Sequence, residues 1–337
     1  MFKKNFSLLK LNSFKLDVRC DFFCEINKKE NLQKLIDSII FKKQKKIILG
    51  GGSNILFTKN YKGIVIKNSI KGKKVLKKTK TKYFVKVGAG ENWHDFVKWT
   101  IKNKMYGLEN LSLIPGSVGA APIQNIGAYG VEVEKYIKEV HTVNLKTGKE
   151  KIFKKNECEF SYRNSIFKGK LKGKYVITHV LFNLNYSFKI QDKYTDIKNS
   201  IKNIKKKKIT GKDISNIVIK IRKSKLPDPK LIGNCGSFFK NPTITKNKLK
   251  EIIAKHNDLI YHETDKNKYK ISAGWMIENC GFKKININNV TVYEKHALVI
   301  INKGTDSGKH VENFYKKIQK EVFKKYKVSL APEVNII

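Results

Sequence analysis

Apolar residues recur along this chain with two periods, and they lay out an irregular alternation of helices and strands. Leu32, Leu35, Ile36, Ile39 and Ile40 fall at helical spacing, and Lys46–Leu49 then reads as a buried strand running into Gly50-Gly51-Gly52-Ser53-Asn54. Residues 63–67 form a second strand, the lysine-rich stretch 71–82 a solvated hairpin, and residues 83–90 a strand that ends in glycines. Trp93, Phe96, Val97, Thr100 and Ile101 then line one face of a helix. A long, nearly charge-free loop follows at 111–130, and strands resume around 136–144 and 175–184. Beyond Pro242 the pattern predicts a helix through Leu249, Ile252 and Ile253, strands within 285–293 and 297–301, and a last amphipathic helix carrying Val311, Phe314, Tyr315, Ile318, Val322 and Phe323. The run 205–208 reads as a solvated face or a helix end. Without regular βαβ spacing or an internal repeat, the fold class predicted is α+β.

At 337 residues there is room for two or three domains, each with its own core. The net charge of +43 invites a nucleic-acid reading, but of 71 basic residues only Arg19, Arg163 and Arg222 are arginine. Nucleic-acid sites lean on arginine for bidentate and stacking contacts. Here lysine is spread along the whole chain beside abundant Ile and Asn, as compositional drift would leave it, so no specific nucleic-acid site is expected. The surviving arginines draw attention for the same reason, since lysine cannot copy a planar guanidinium. Five cysteines form no CxxC pair and no zinc-spaced cluster, so neither a metal nor a disulfide framework is expected. Cys20, Cys24 and Cys158 read as core. The N-terminus lacks a continuous apolar signal core and no run is long enough for a membrane span, so a soluble cytoplasmic protein is expected.

Two generic phosphate motifs fail. Gly88-Ala89-Gly90 lacks the third glycine of a dinucleotide fingerprint, and the segment 304–310 is one residue short of a P-loop, with His310 where Ser or Thr belongs. What remains are glycine-rich loops after strands, at 50–54, 88–90 and 116–130, whose backbone N–H groups can cradle a pyrophosphate. A loop of this length with so few charges is usually functional. The segment 226–242, LPDPKLIGNCGSFFKNP, holds Asn234, Cys235, Ser237, Lys240 and Asn241 between prolines and glycines. It reads either as a hydroxyl held on a rigid turn or as a surface hairpin of turn-forming residues.

GGGSN at 50–54, VGAGENW at 87–93, IPGSVGAAPIQNIGAYG at 114–130, SYRNSIFK at 161–168, KLPDPK at 225–230, GNCGSFFKNP at 233–242 and APEV at 331–334 resemble the UDP-N-acetylenolpyruvoylglucosamine reductase family. The resemblance is colinear over almost the whole chain. It implies a vanillyl-alcohol-oxidase-type (PCMH-type) FAD-binding fold of two subdomains, residues 1–70 and 71–226, plus a C-terminal α+β substrate-binding domain at 227–325. Residues 326–337 would return to the active site. FAD contacts implied are Gly50, Gly51, Gly52, Ser53 and Asn54, with Gly116, Gly119, Ala120, Asn125, Gly127 and Gly130. NADPH is the implied co-substrate, and a monomer without membrane attachment is expected. Catalytic positions carried over are Arg163, Ser237 and Glu333; substrate-binding ones are Tyr194, Arg222, Lys225 and Asn241. Tyr194 marks the longer form of the family, with a substrate-covering loop. The chain stops four residues after Glu333, and so short a tail is expected to loosen that residue's placement.

The reaction implied runs from NADPH to flavin N5, then to C3 of the enolpyruvyl ether of UDP-N-acetylglucosamine. Charge then develops at C2 and spreads into the carboxylate. Arg163 can fork two hydrogen bonds onto that group, Glu333 can assist as an acid or by orienting Arg163, and Ser237 would protonate C2. Cys235 is a local competitor for that proton transfer. Taken alone, the chemistry favours the thiol; the resemblance favours the hydroxyl. A different flavoenzyme of this fold, such as an oxidase of alcohols or sugars, and a polyanion-binding protein are the rival classes.

Overall fold

The computed structural model describes the chain apart from Lys193, Asn203, Lys205, Lys206, Lys207 and Lys266. Three residues of the 205–208 run therefore lie outside the described residues. Two compact units emerge: Met1–Phe6, Cys20–Gly52 and Lys62–Ser224 make the first, and Ser7–Arg19, Ser53–Tyr61 and Lys225–Ile337 the second.

The first unit holds two sheets. One runs Lys3–Ser7, Arg19–Ile26, Tyr61–Asn68, Lys46–Leu49, with the last pair parallel. Helices α1 (Asn31–Asp37) and α2 (Ile39–Lys43) pack their buried Leu32, Leu35, Ile36 and Phe41 with Ile64 and Ile66. The apolar period predicts one helix here, and the structure has two. Ser38 takes an extended conformation and its hydroxyl accepts the Phe41 N–H, which starts a new helix and leaves Ile39 exposed. The second sheet is antiparallel, ordered Glu150–Lys154, Ile137–Asn144, Tyr175–Asn185, Lys82–Gly88, Lys73–Lys78. The lysine-rich edge is the expected hairpin. Helix α3 (Trp93–Lys102) lays Trp93, Phe96 and Val97 into the core of this sheet with Phe182 and Val180, and Asn92 caps it.

Two helices of this unit go beyond the sequence reading: α4 (Thr195–Lys202) and α5 (Gly211–Lys225). They share a small core of Ile197, Ile214, Ile217 and Val218, against which Tyr129 and Phe188 pack.

The second unit is built on an antiparallel sheet ordered Gly233–Ser237, His296–Asn302, Val290–Tyr293, Asn286–Ile287, with a separate three-stranded sheet of Thr243–Thr245, Lys268–Ile271 and Tyr261–Asp265. Helices α6 (Lys246–Ile253), α7 (Ala273–Asn279) and α8 (Gly308–Tyr326) belong to it. α8 buries six of the apolar face's residues, including Val311, Phe314, Ile318 and Tyr326, but leaves Phe323 half exposed. Among the described residues no helix is long and apolar enough to cross a membrane.

Candidate active site

In the second unit, Ser237 sits where a strand is interrupted. The pairing of Gly233–Ser237 with His296–Asn302 shifts between Asn234 and Ser237, and Gly236 takes φ +70° there. Such a bulge re-aims the side chains that follow it. Asn234 Oδ1 braces the turn by accepting the Gly236 N–H at 2.9 Å. Cys235 turns inward, 8 % exposed, against Ser13 Oγ at 3.4 Å and the Ile55 carbonyl at 3.3 Å, while Ser237 is half-buried. Burial pushes the Cys235 thiol up to about 12. The thiol is therefore enclosed by the Ser13 and Ile55 contacts, and Ser237 is the more accessible of the two side chains.

The C-terminal segment comes alongside the residues after Ser237. Glu333 N–H donates to the Phe238 carbonyl at 2.8 Å, Lys240 N–H donates to Ala331 at 2.9 Å, and Phe239 bridges Pro332. The short tail is not loose: Asn335–Ile336 pairs in parallel with Ile55–Leu56, and Thr58 donates to the Ile337 carbonyl through both N–H and hydroxyl at 2.8 Å. Asn54 contributes here too, since its carbonyl accepts from Asn335 Nδ2 at 3.0 Å and its own Nδ2 donates to the Glu333 carbonyl at 3.4 Å. Asn241 Oδ1 accepts the Ala273 N–H at the start of α7 at 3.0 Å, so its NH2 end is the one able to turn to a ligand. Lys225, at the end of α5, is exposed.

In the first unit the glycine loops meet backbone to backbone. A Cβ on Gly51 would lie 2.7 Å from Gly116 Cα, one on Gly119 would lie 2.5 Å from Ala89 Cβ, and one on Gly50 would overlap Ser117 Oγ. The Gly50 carbonyl accepts from Lys67 Nζ, a contact the sequence reading missed. Gly52, Gly116 and Gly130 all have positive φ. Asn125, buried and itself at φ +43°, ties the loop down by donating to Glu132 at 2.9 Å and to Ser161 at 3.2 Å. Ala120 N–H donates to the Ser117 carbonyl at 3.0 Å, and its side chain lies 3.6 Å from the position of a Gly50 Cβ.

Arg163 stands on the turn that Asn125 holds. Its φ is +54°, unusual for a non-glycine residue, and Nη2 donates to the Gly127 carbonyl at 2.6 Å. Nη1 lies 2.9 Å from where a Gly127 Cβ would be, so glycine makes the approach possible. Arg222 is close enough for the charge of Arg163 to push its pKa down, although burial is the larger cause. The Tyr129 hydroxyl hydrogen-bonds Arg222, and Arg222 Nε is buried without a hydrogen-bond partner among the described residues. Tyr194, 44 % exposed, meets the Tyr129 ring edge-on at 5.1 Å. Tyr129 lies in the quoted IGAYG motif, yet nothing in its spacing marks it as the junction of these residues.

Two guanidinium groups near each other, one with an orphaned buried donor, make a locus that an anion would satisfy. Together with paired glycine loops this is the equipment of an enzyme that holds an anionic cofactor or substrate. Residues 21–153 match the family described as FAD binding domain, and residues 228–337 match the UDP-N-acetylenolpyruvoylglucosamine reductase C-terminal domain. The chain is 41 % identical to the UDP-N-acetylenolpyruvoylglucosamine reductase of Flavobacterium johnsoniae over 99 % of both chains. It is 41 % identical to that of Bdellovibrio bacteriovorus, covering 96 % of this chain and 95 % of that one. The fold is similar to the crystal structure of UDP-N-acetylenolpyruvylglucosamine reductase from Thermus caldophilus, with TM-score 0.69 and 18 % identity over 100 % of this chain and 99 % of that one. The fold is therefore the α+β fold of that reductase, with an FAD-binding domain in its N-terminal part, as expected. The chain belongs to the UDP-N-acetylenolpyruvoylglucosamine reductase family.

The residues present fit FAD. Where the loops touch, a side chain at Gly51 or Gly119 would force them apart, and backbone brought this close can line a pyrophosphate.

Proposed function

We infer that this chain carries out the reaction of its family: FAD-dependent, NADPH-using reduction of the enolpyruvyl ether of UDP-N-acetylglucosamine to UDP-N-acetylmuramate, in peptidoglycan precursor synthesis. When bound, FAD supplies the hydride that NADPH provides. The chain's own residues bind, orient and protonate. Arg163 forks onto the substrate carboxylate and holds the charge that spreads into it, a planar task for which lysine is no substitute. Ser237 donates the proton to C2, and Glu333 assists that transfer. Arg222, Lys225, Asn241 and Tyr194 hold the nucleotide-sugar. Gly50, Gly51, Gly52, Ser53 and Asn54, with the 116–130 loop, hold FAD. The division into two flavin subdomains at 1–70 and 71–226, with a substrate domain at 227–325, is part of the same reading. So are a cytoplasmic monomer and the absence of a specific nucleic-acid partner.

The observation that supports the substrate assignment is Arg222, hydrogen-bonded by the Tyr129 phenol with its buried Nε lacking a hydrogen-bond partner among the described residues. An anionic ligand would satisfy that donor and offset the burial of the guanidinium, which also feels the charge of Arg163. The test of the proton donor compares Ser237→Ala with Cys235→Ala in anaerobic stopped flow. Ser237→Ala slows substrate-driven flavin reoxidation by about 100-fold or more while NADPH reduction continues, and Cys235→Ala changes neither step more than a few-fold. Slow reoxidation in the cysteine variant alone would assign the proton to the thiol.

A further inference from the structure

The segment 186–225 carries Tyr194 and Arg222, and three buried polar residues tie it to the mouth of the 111–130 loop. Glu109, Asn110 and Ser112 are each 3 % exposed or less. Ser112 Oγ and Ser215 Oγ of α5 share a buried hydrogen bond of 2.8 Å. Asn110 Nδ2 donates to the Tyr129 carbonyl and to the Gln191 carbonyl, both at 2.9 Å, and so joins the IGAYG turn to the segment leading to Tyr194. Glu109 Oε1 lies 3.2 Å from the point a Cβ on Gly211 would occupy, at the first residue of α5.

These contacts share one face of α5. Gly211, Ser215 and Arg222 follow i, i+4, i+11 spacing, which keeps them in line along a helix. The apolar contacts of the same helix, through Ile214, Ile217, Val218 and Ile221, repeat every three or four residues. Such a repeat packs almost as well when displaced by a turn, whereas a buried hydroxyl pair does not survive displacement. Single buried polar residues fix register in other helical assemblies for this reason.

We propose that Asn110 and Ser112 are positioning residues for the substrate subsite: they set the register of α5 and the course of the Tyr129 turn together, so that the Arg222 guanidinium meets the Tyr129 phenol and stays in place for an anionic group of the nucleotide-sugar. This rests on the reading of Arg222 as a substrate-binding residue. Asn110 grips the Tyr129 side of that junction and Ser112 the Arg222 side. Both are buried, Asn110 2 % and Ser112 0 % exposed, and act through that junction. Their loss therefore weakens binding of the ground state and transition state alike.

The experiment uses the full-length, flavin-loaded enzyme and the enolpyruvyl nucleotide-sugar as varied substrate, with Asn110→Ala, Ser112→Ala and Arg222→Ala compared. The expected result is a KM for that substrate raised about tenfold in the first two, with kcat within about threefold of the parent and an unchanged flavin-to-protein absorbance ratio. Combining Ser112→Ala with Arg222→Ala adds little to Arg222→Ala alone, because both act on one contact. The paired Ser112→Ala, Ser215→Ala variant removes both hydroxyls, so it separates lost register from an unmatched buried group. Its KM stays raised. Unchanged KM in Asn110→Ala and Ser112→Ala, while Arg222→Ala raises it, overturns the proposal alone. Loss of flavin in either variant also overturns it, since the contacts would then serve the cofactor. Unchanged KM in Arg222→Ala overturns the substrate reading of Arg222, and the proposal with it.

Discussion

Glu109 is a carboxyl 3 % exposed whose oxygens accept the Gly107 N–H at 2.8 and 3.1 Å. Burial raises its pKa from an ordinary 4.5 to about 7, against the pull of those N–H donors, and the Tyr136 phenol beside it is pushed up to about 12. An acid whose folded pKa lies above its unfolded one binds protons more tightly when folded. Between pH 4.5 and 7 the unfolded chain ionises first, so stability falls as pH rises and then levels off. The contribution is about 3 kcal/mol. Urea unfolding of Glu109→Gln is expected to show a flatter stability profile across that window than the parent; parallel profiles would contradict the assignment. This acid escaped the sequence reading because GLENLS looks like the end of an ordinary loop. Cys235 shows the converse limit: its chemistry in GNCGS suggests a competing donor, and only the bulge at Gly236 reveals that it faces inward.

The glycine loops carry the account at the scale of elements. A Cβ on Gly51 meets the Gly116 backbone, which cannot move aside alone, whereas one on Gly50 meets the rotatable Ser117 hydroxyl. Gly51→Ala is therefore expected to cost roughly 1–3 kcal/mol and to release flavin, measured by flavin-to-protein absorbance and melting temperature, with Gly50→Ala milder on both. Equal effects, or a milder Gly51→Ala, would show that loop packing does not set the site. Most strands and the α3 and α8 helices were legible because their apolar residues hold one period throughout. α4 and α5 were not, although Ile214, Ile217, Val218 and Ile221 do carry the helical period. Lysines on either side hid it, and the residues these helices pack against, Tyr129 and Phe188, are remote in sequence. The break at Ser38 was illegible for a different reason: a serine inside an apolar period can face solvent or cap a new helix, and side-chain spacing does not distinguish the two.

For the whole molecule, a net charge of +43 puts like charges on most of the surface. Self-repulsion of that kind is screened by salt, so the melting temperature is expected to rise by a few degrees between low and physiological ionic strength; a salt-independent value would mean the lysines are spaced too widely to repel. The charge says little about function. The family was legible in the order of seven short motifs, while the junction of Arg163, Arg222 and Tyr129 depends on φ values and side-chain contacts that no spacing reveals. The most direct test of the central claim is the visible spectrum of the purified protein, recorded before NADPH, after it, and then anaerobically after the enolpyruvyl nucleotide-sugar. The predicted result is a flavin band that bleaches with NADPH and returns with the nucleotide-sugar. A band that bleaches and stays bleached would contradict the substrate assignment, and a protein with no flavin band that binds none on addition would contradict the enzyme itself.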